Sequence, residues 1–298
     1  MAQGEETDRR GRLETARDED RTEELSATHL AIARRGRGAV VPASLVVLFL
    51  LPLILMPLAA VFVFAFKGGI KAFWADLSTP EAQFALRFSL VIACATAAVN
   101  AILGTYTAYV LSRYRFRGQR VLGIIVNLPV AIPTVVVGTS LLLLWGPIGL
   151  LGRVLQPLGI QPMFAPAGVL MAHLFVTFPY MLGAVKPVLD ELEETYVEAA
   201  YTIGANAWQT FRHVILPTLK GGLFAGVLLT FAHSLGEFGA TVMVSGNLRL
   251  RTQTAPLYIF AQFEAGNLAT ANAVAAVLAT LSFLIFFFLV RYAGKRET

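Results

Sequence analysis

Six blocks of mostly apolar residues, each long enough to cross a bilayer, constrain this chain more than any other feature. They fall near 39–66, 84–111, 120–145, 166–186, 218–245 and 270–292, and a spanning helix needs about 20 such residues. The chain is 56% hydrophobic and 14% charged, whereas soluble domains run near a quarter charged. In lipid, backbone groups must be satisfied within the segment, which leaves helices as the form for such runs. The expected fold class is therefore all-α, a polytopic membrane protein with about six transmembrane helices.

Positive charge sets the orientation. Of 24 Lys and Arg residues, only Lys67, Lys71, Arg87, Arg153, Arg249 and Arg251 fall on one side, and the other 18 on the opposite side. The bias places both termini in the cytoplasm. Residues 1–38 are dense in Arg, Glu, Asp and Thr and read as a disordered charged cytoplasmic tail. Residues 39–292 form the transmembrane domain, and 293–298 a short cytoplasmic C-terminus. The first apolar block is too long and too deep for a cleavable signal and is expected to remain as an anchor. The single cysteine, Cys94, excludes an intrachain disulfide and a cysteine-rich metal site.

Between the fourth and fifth blocks lies a polar, helix-forming insert. Its acidic start suits the positive end of a helix, with Asp190 as a candidate cap. Gly204 should break the helix, and Asn206 should begin a second one through Trp208, Phe211 and His213, ended by Pro217. Trp208 and Phe211 are expected to face the fifth span. The text Glu198-Ala199-Ala200, three residues, Gly204, nine residues, then Val214-Ile215-Leu216-Pro217 resembles the EAA loop of binding-protein-dependent ABC importer permeases. Val214 stands where that pattern has isoleucine. The resemblance implies that loop 187–217 is a cytoplasmic coupling-helix pair that fits a groove in a separate ATP-binding subunit, present in two copies. Glu198 would pair with a basic group there, Ala199, Ala200 and Gly204 would permit close contact, and Val214, Leu216 and Pro217 would form the exit into the membrane. ATP and Mg2+ would belong to that partner. This chain has no G-x-x-x-x-G-K-[ST] phosphate loop, and the expectation is a transport subunit, not an enzyme, with no cofactor or metal of its own.

In the fifth block Thr230, Ser234, Glu237 and Thr241 recur at helical steps, with His233 beside them. An ionisable residue at membrane depth should face the bundle interior or a wet cavity, so these five are pore or gate candidates. Glu237 repels anions and is expected to pair with His233 or a donor on another helix. Pro129 and Pro133 should kink or break the third span inside the bundle. The text Ser234-Leu-Gly-Glu237-Phe-Gly-Ala240, with Ser245-Gly-Asn247, Lys186-Pro-Val-Leu-Asp-Glu191 and Ala255-Pro-Leu-Tyr-Ile259, is similar to sulfate and molybdate importer permeases over roughly 45–292. That similarity implies half of a dimeric pore, completed by a second copy or a related permease, in a bacterial or archaeal cell membrane. It implies delivery of a tetrahedral oxyanion, sulfate or molybdate/tungstate, by an extracytoplasmic solute-binding protein, and alternating access driven by the ATPase. Asn247, Arg249 and Arg251, on an external loop spanning 246–268, would meet the anion or the binding protein. The competing readings are a permease for another small solute and an autonomous carrier or channel using His233 and Glu237. An intramembrane enzyme is disfavoured, since His173 and His233 are too few and no His-Glu-x-x-His pattern occurs.

Overall fold

The structure, a computed structural model, describes residues 46–293. The expected tail at 1–38 and residues 294–298 lie outside the described residues. Among the described residues the regular elements are all helices. Residues 46–60 supply most of helix α1 (Val46–Ala65), which is long and apolar enough to span a membrane. The described residues from 61 onward form a second compact unit, which opens with the end of α1 and continues into the short helix α2 (Gly69–Leu77).

Five helices meet the length and composition of a span, and a bent pair brings the number to six. The all-α, multi-pass expectation is met. Helix α3 (Pro80–Arg113) begins on the Thr79 side chain, which accepts from the Ala82 N–H at 3.4 Å, with Pro80 and Glu81 in its first turn. Each is a start signal: a cap, a ring that needs no N–H donor, and a charge at the positive helix end. At 1.5 Å per residue α3 is about 51 Å long, more than the roughly 30 Å hydrocarbon core, so it extends past the membrane's apolar layer. It packs with α7 (Pro166–Glu191) and α10 (Leu216–Leu235) as the centre of the unit. Two glycines let α10 approach α7 closely. A Cβ on Gly222 would lie 2.7 Å from the Ala184 carbonyl oxygen, and one on Gly226 would lie 2.5 Å from Met181 Sδ. Lipid gives helices no hydrophobic drive to associate, so close packing through small residues at this four-residue spacing carries the contact.

The third span is broken, as expected from its prolines. Helices α4 (Gln119–Ala131) and α5 (Thr134–Trp145) meet at 113°. Ile132 is extended (φ −97°, ψ 133°) before Pro133, the conformation that a following proline ring enforces. The span does not lie inside the bundle, however. Only Pro129 of α4, and Val137 and Gly138 of α5, are buried.

Two further expectations are corrected. The fifth block is not one helix: α10 stops at Leu235, residues 236–238 turn, and α11 (Gly239–Ser245) follows. The turn satisfies its own backbone, since Gly236 N–H donates to the His233 carbonyl and Glu237 N–H to that of Ser234. Helices α5 and α11, each following a break, pack together, and Gly239 sits against the Thr134 side chain with no room for a Cβ. The stretch 246–268 is not a simple external loop either. Thr252, Gln253 and Thr254 are buried, and α12 (Ala255–Glu264) follows them. Thr252 Oγ1 donates to the Ser245 carbonyl at 2.6 Å, and Ser89 Oγ accepts the Ala255 N–H at 2.7 Å. These long-range bonds draw the segment inward before α13 (Leu268–Ala293). The Gly- and Pro-rich stretch after α5 holds the short helix α6 (Gly152–Leu155).

Candidate functional site: an exposed elbow and a buried polar seam

The polar insert folds as an elbow. Helix α8 (Glu194–Thr202) ends at Gly204, whose φ of 87° only glycine adopts freely. Two bonds close the turn: Ala205 N–H to the Ala200 carbonyl and Gly204 N–H to that of Tyr201, each at 3.0 Å. This is a Schellman termination, which satisfies carbonyls that a helix end leaves orphaned. Asn206 then opens the next helix, α9 (Ala207–Thr210), with a reciprocal capping box. Its Oδ1 accepts the Gln209 N–H, and Gln209 Oε1 accepts the Asn206 N–H, both at 2.9 Å.

Three details depart from the sequence expectation. Asp190 is not the cap of α8; it lies at the end of α7 and pairs with Lys186 at 2.5 Å, and Glu193 holds the cap position. Pro217 does not end a helix. The chain runs unbroken from Ala207 to Leu235 through a π turn, Phe211–Ile215, in which Leu216 N–H reaches the Phe211 carbonyl. The wider turn accommodates the proline, which has no N–H to offer the preceding turn. Trp208 does not face the fifth span; it is 65% exposed and stacks on Phe211 with centroids 5.8 Å apart.

The elbow has two faces. Ala200 is buried, and Leu192, Val197, Phe211, Ile215 and Leu219 belong to one apolar cluster with Ala108 and Leu111 of α3 and Met181, Leu182, Val185 and Leu189 of α7. Glu198, Ala199, Gly204 and Pro217 are exposed, among the exposed apolar side chains Tyr196, Tyr201, Ile203 (86% exposed) and Trp208. Val214 and Leu216 are half-buried at the root of α10. Arg113 at the end of α3 fixes the underside, donating to the carbonyls of Leu192 at 2.9 Å and Leu189 at 3.3 Å.

Deeper in the unit, a seam of polar side chains joins α7 to the α10–α11 break. His173 Nδ1 lies 2.7 Å from Ser234 Oγ, and its Nε2 lies 2.9 Å from Thr241 Oγ1. One ring thus ties together the helices on either side of the break. Glu237 sits in the break and is buried; its Oε1 accepts the Ala240 N–H at 2.8 Å, and its Oε2 lies 3.8 Å from His233 Nε2. The carboxylate therefore occupies the positive start of α11. Thr177 Oγ1 donates to the His173 carbonyl at 2.7 Å and accepts from Asn100 Nδ2 at 2.9 Å, which carries the seam to α3. Thr230 is buried nearby, but its hydroxyl has no hydrogen-bond partner among the described residues. Ser234, Glu237 and Thr241 are brought together, with His233 at the edge under the Tyr180 ring. Sequence reasoning had not placed Asn100, His173 and Thr177 in the site. Their signal was polarity at the centre of apolar blocks.

The external candidates separate. Arg249 pairs with Glu81 at 2.6 Å. Asn247 (φ 48°) is held by Ser245 Oγ and accepts from Gln253 Nε2 at 2.9 Å. Arg251 is exposed, with no ion-pair partner among the described residues.

The sequence profile of the family described as "Binding-protein-dependent transport system inner membrane component" matches residues 100–297. The chain belongs to that family. It is a multi-pass, non-catalytic permease subunit of an ABC importer. Similar proteins include the "Sulfate transport system permease protein CysT" of Synechocystis sp., 34% identical over 82% of this chain and 86% of that one. The "Sulfate transport system permease protein CysW" of the same organism is 36% identical over 80% of this chain and 87% of its own length. Among solved structures, a bacterial ABC transporter that imports the acidic polysaccharide alginate matches with a TM-score of 0.70 at 16% identity, over 87% of this chain and 96% of that one. That likeness supports the fold alone.

Proposed function

We propose that this permease moves a tetrahedral oxyanion of the sulfate type, and that the exposed elbow is where a separate ATP-binding subunit drives it. The observation that carries the substrate class is similarity above 30% to both sulfate permease types over most of the chain. The elbow carries the coupling role. A rigid pair of helices presents Glu198, Ala199, Gly204 and a patch of exposed aromatic and aliphatic side chains, while its underside is welded to α3, α7 and α10. Exposed apolar patches of this kind mark protein contacts. A displacement of the elbow would reach all three central helices as one body. Two such ATP-binding subunits, a second permease chain (another copy or a relative) and an extracytoplasmic solute-binding protein complete the assembly.

The elbow then faces the cytoplasm with both termini, residues 1–38 form its charged tail, and 39–292 are the permease domain, in agreement with the positive-charge bias. On the opposite face Asn247, Arg249 and Arg251 meet the binding protein or its anion, Arg251 with its charge unspent. The polar seam is a latch, not an anion site. Ser234, Glu237 and Thr241 are satisfied by His173, Ala240 and one another, and Glu237 already supplies the negative charge at α11. Alternating access needs two packings close in free energy, and the break spanned by His173 is where this chain can re-form its bonds. Uptake of labelled sulfate by cells that carry this permease with its ATPase and binding protein tests the reading. Competition by molybdate, with loss of uptake when the ATPase is inactive, is the expected result. Uptake that persists without any ATPase would overturn it.

A further inference from the structure

On the elbow's side of the unit, the connection from α3 to α4 walls a cavity of about 720 Å3 lined by Leu111, Ser112, Arg115, Phe116, Arg117, Gln119, Lys186 and Asp190. A second cavity of about 560 Å3 adjoins it, sharing Leu111, Phe116, Gln119 and Lys186 and adding Arg120 and Val121. Lys186 is neutralised by Asp190. Arg115, Arg117 and Arg120 are exposed and have no carboxylate partner among the described residues. Two uncompensated guanidinium groups, of Arg115 and Arg117, thus line the larger hollow, and a third, of Arg120, lines the one adjoining it. Beside it stands the start of α4, where Gly118 offers no side-chain cap and the first turn has no acidic residue. The Gln119 N–H donates to the Phe116 carbonyl, and the N–H groups of Arg120 and Val121 that follow it add to the positive potential. Gln119 donates to the Leu111 carbonyl at 2.7 Å, which holds this start against the end of α3.

We infer that this hollow binds the phosphate headgroup of an anionic phospholipid in the leaflet on the elbow's side. A free soluble anion would explain the arginines but not the apolar surface that continues from them. Val121 borders the cavity and begins an exposed apolar face of α4 that runs on through Ile124, Ile125 and Leu128. An acyl chain has a track there directly beneath the headgroup. Basic pockets at the polar ends of spanning helices are suited to such headgroups, and guanidinium groups grip phosphate oxygens in pairs. Because α4 is anchored through few buried residues, a lipid in this position would hold its N-terminal end beside α3 and α7. The identity of the leaflet rests on the proposed orientation of the elbow. Lipid retention in detergent does not, so the two can fail separately.

The test is native mass spectrometry of the purified full-length permease with its ATPase, supplied with phosphatidylglycerol or phosphatidylcholine, and separately with inorganic phosphate. Retention of phosphatidylglycerol over phosphatidylcholine is expected. Arg115→Gln and Arg117→Gln should each weaken retention about fivefold, and the exposed control Arg153→Gln should leave it unchanged. Both arginines lie on the surface, so folding survives their replacement, and co-purification of the ATPase confirms that. Equal retention of the two lipids would overturn the proposal, as would retention by the double variant at the wild-type level. Displacement of phosphatidylglycerol by inorganic phosphate alone would assign the hollow to a soluble anion and also overturn it.

Discussion

Replacing Gly204 separates two explanations of the elbow, backbone conformation and space. Its φ is 87°, yet a Cβ built there meets nothing within 4 Å in this chain. Gly204→Ala therefore creates no clash and acts through the backbone alone. Holding a residue with a Cβ in the left-handed region costs roughly 1–2 kcal/mol, a factor of about 5–30 in population. If the ATP-binding subunit recognises only the formed elbow, apparent affinity falls with the elbow's population, by at most that factor. Gly204→Asn should be milder, because asparagine tolerates the left-handed conformation. Gly204→Asp carries the same modest strain plus a charge on the exposed face, and should uncouple uptake while membrane insertion persists. Each variant is co-purified with the ATPase across a titration, beside ATP-driven uptake. Asparagine binding better than alanine supports the conformational account. Loss that follows side-chain size, with asparagine worse than alanine, would refute it and make the partner's close approach the governing term.

Other residues make sharper demands on packing and polarity. A Cβ on Gly222 meets a backbone oxygen, whereas one on Gly226 meets the flexible end of Met181; Gly222→Ala should therefore destabilise by about 1–3 kcal/mol of overpacking and lower the thermal midpoint in detergent more than Gly226→Ala, and equal midpoints would contradict the geometry. His173→Leu strands the Ser234 hydroxyl and half of the bonding of Thr241, at about 1–3 kcal/mol for each buried group left unpaired. An unchanged midpoint together with wild-type uptake would remove the latch. Glu237→Gln keeps an oxygen for the Ala240 N–H but loses the charge at the start of α11, worth roughly 0.3–1 kcal/mol; uptake should slow with the order of oxyanions unchanged, and a switch in that order would place Glu237 in the selectivity site.

The apolar blocks and the EAA-like spacing were legible because both are local. Hydropathy located the spans, and Gly204, Asn206 and Gln209 carry their turn chemistry in their own residue types. The interruption after Leu235 was not legible. Gly236-Glu237-Phe238 sits within an apolar run, and the spacing of Thr230, Ser234, Glu237 and Thr241 is compatible with one continuous helix. The break combines a local bond, the Glu237 carboxylate turning back to the Ala240 N–H, with tertiary ones, as His173 arrives from another span to Ser234 and Thr241. Thr252 to Ala255 read as loop because the partners that draw the segment inward, Ser245 for Thr252 and Ser89 for Ala255, lie on other elements. Pro217 misled because the rule that proline ends a helix assumes an α turn before it, and this chain supplies a π turn. Trp208, expected to face the fifth span, is exposed instead, because a protein-contacting surface takes the same aromatic side chains as a helix contact.

The bonds that close the turn between α8 and α9 all fall between Ala200 and Gln209. None of them needs the membrane, the seam or a distant helix. The elbow is in that respect a portable part. After a gene duplication, two permeases could diverge throughout their spans and still present the same fitting to one shared motor. This chain is 34% and 36% identical to two differently named sulfate permeases of a single organism.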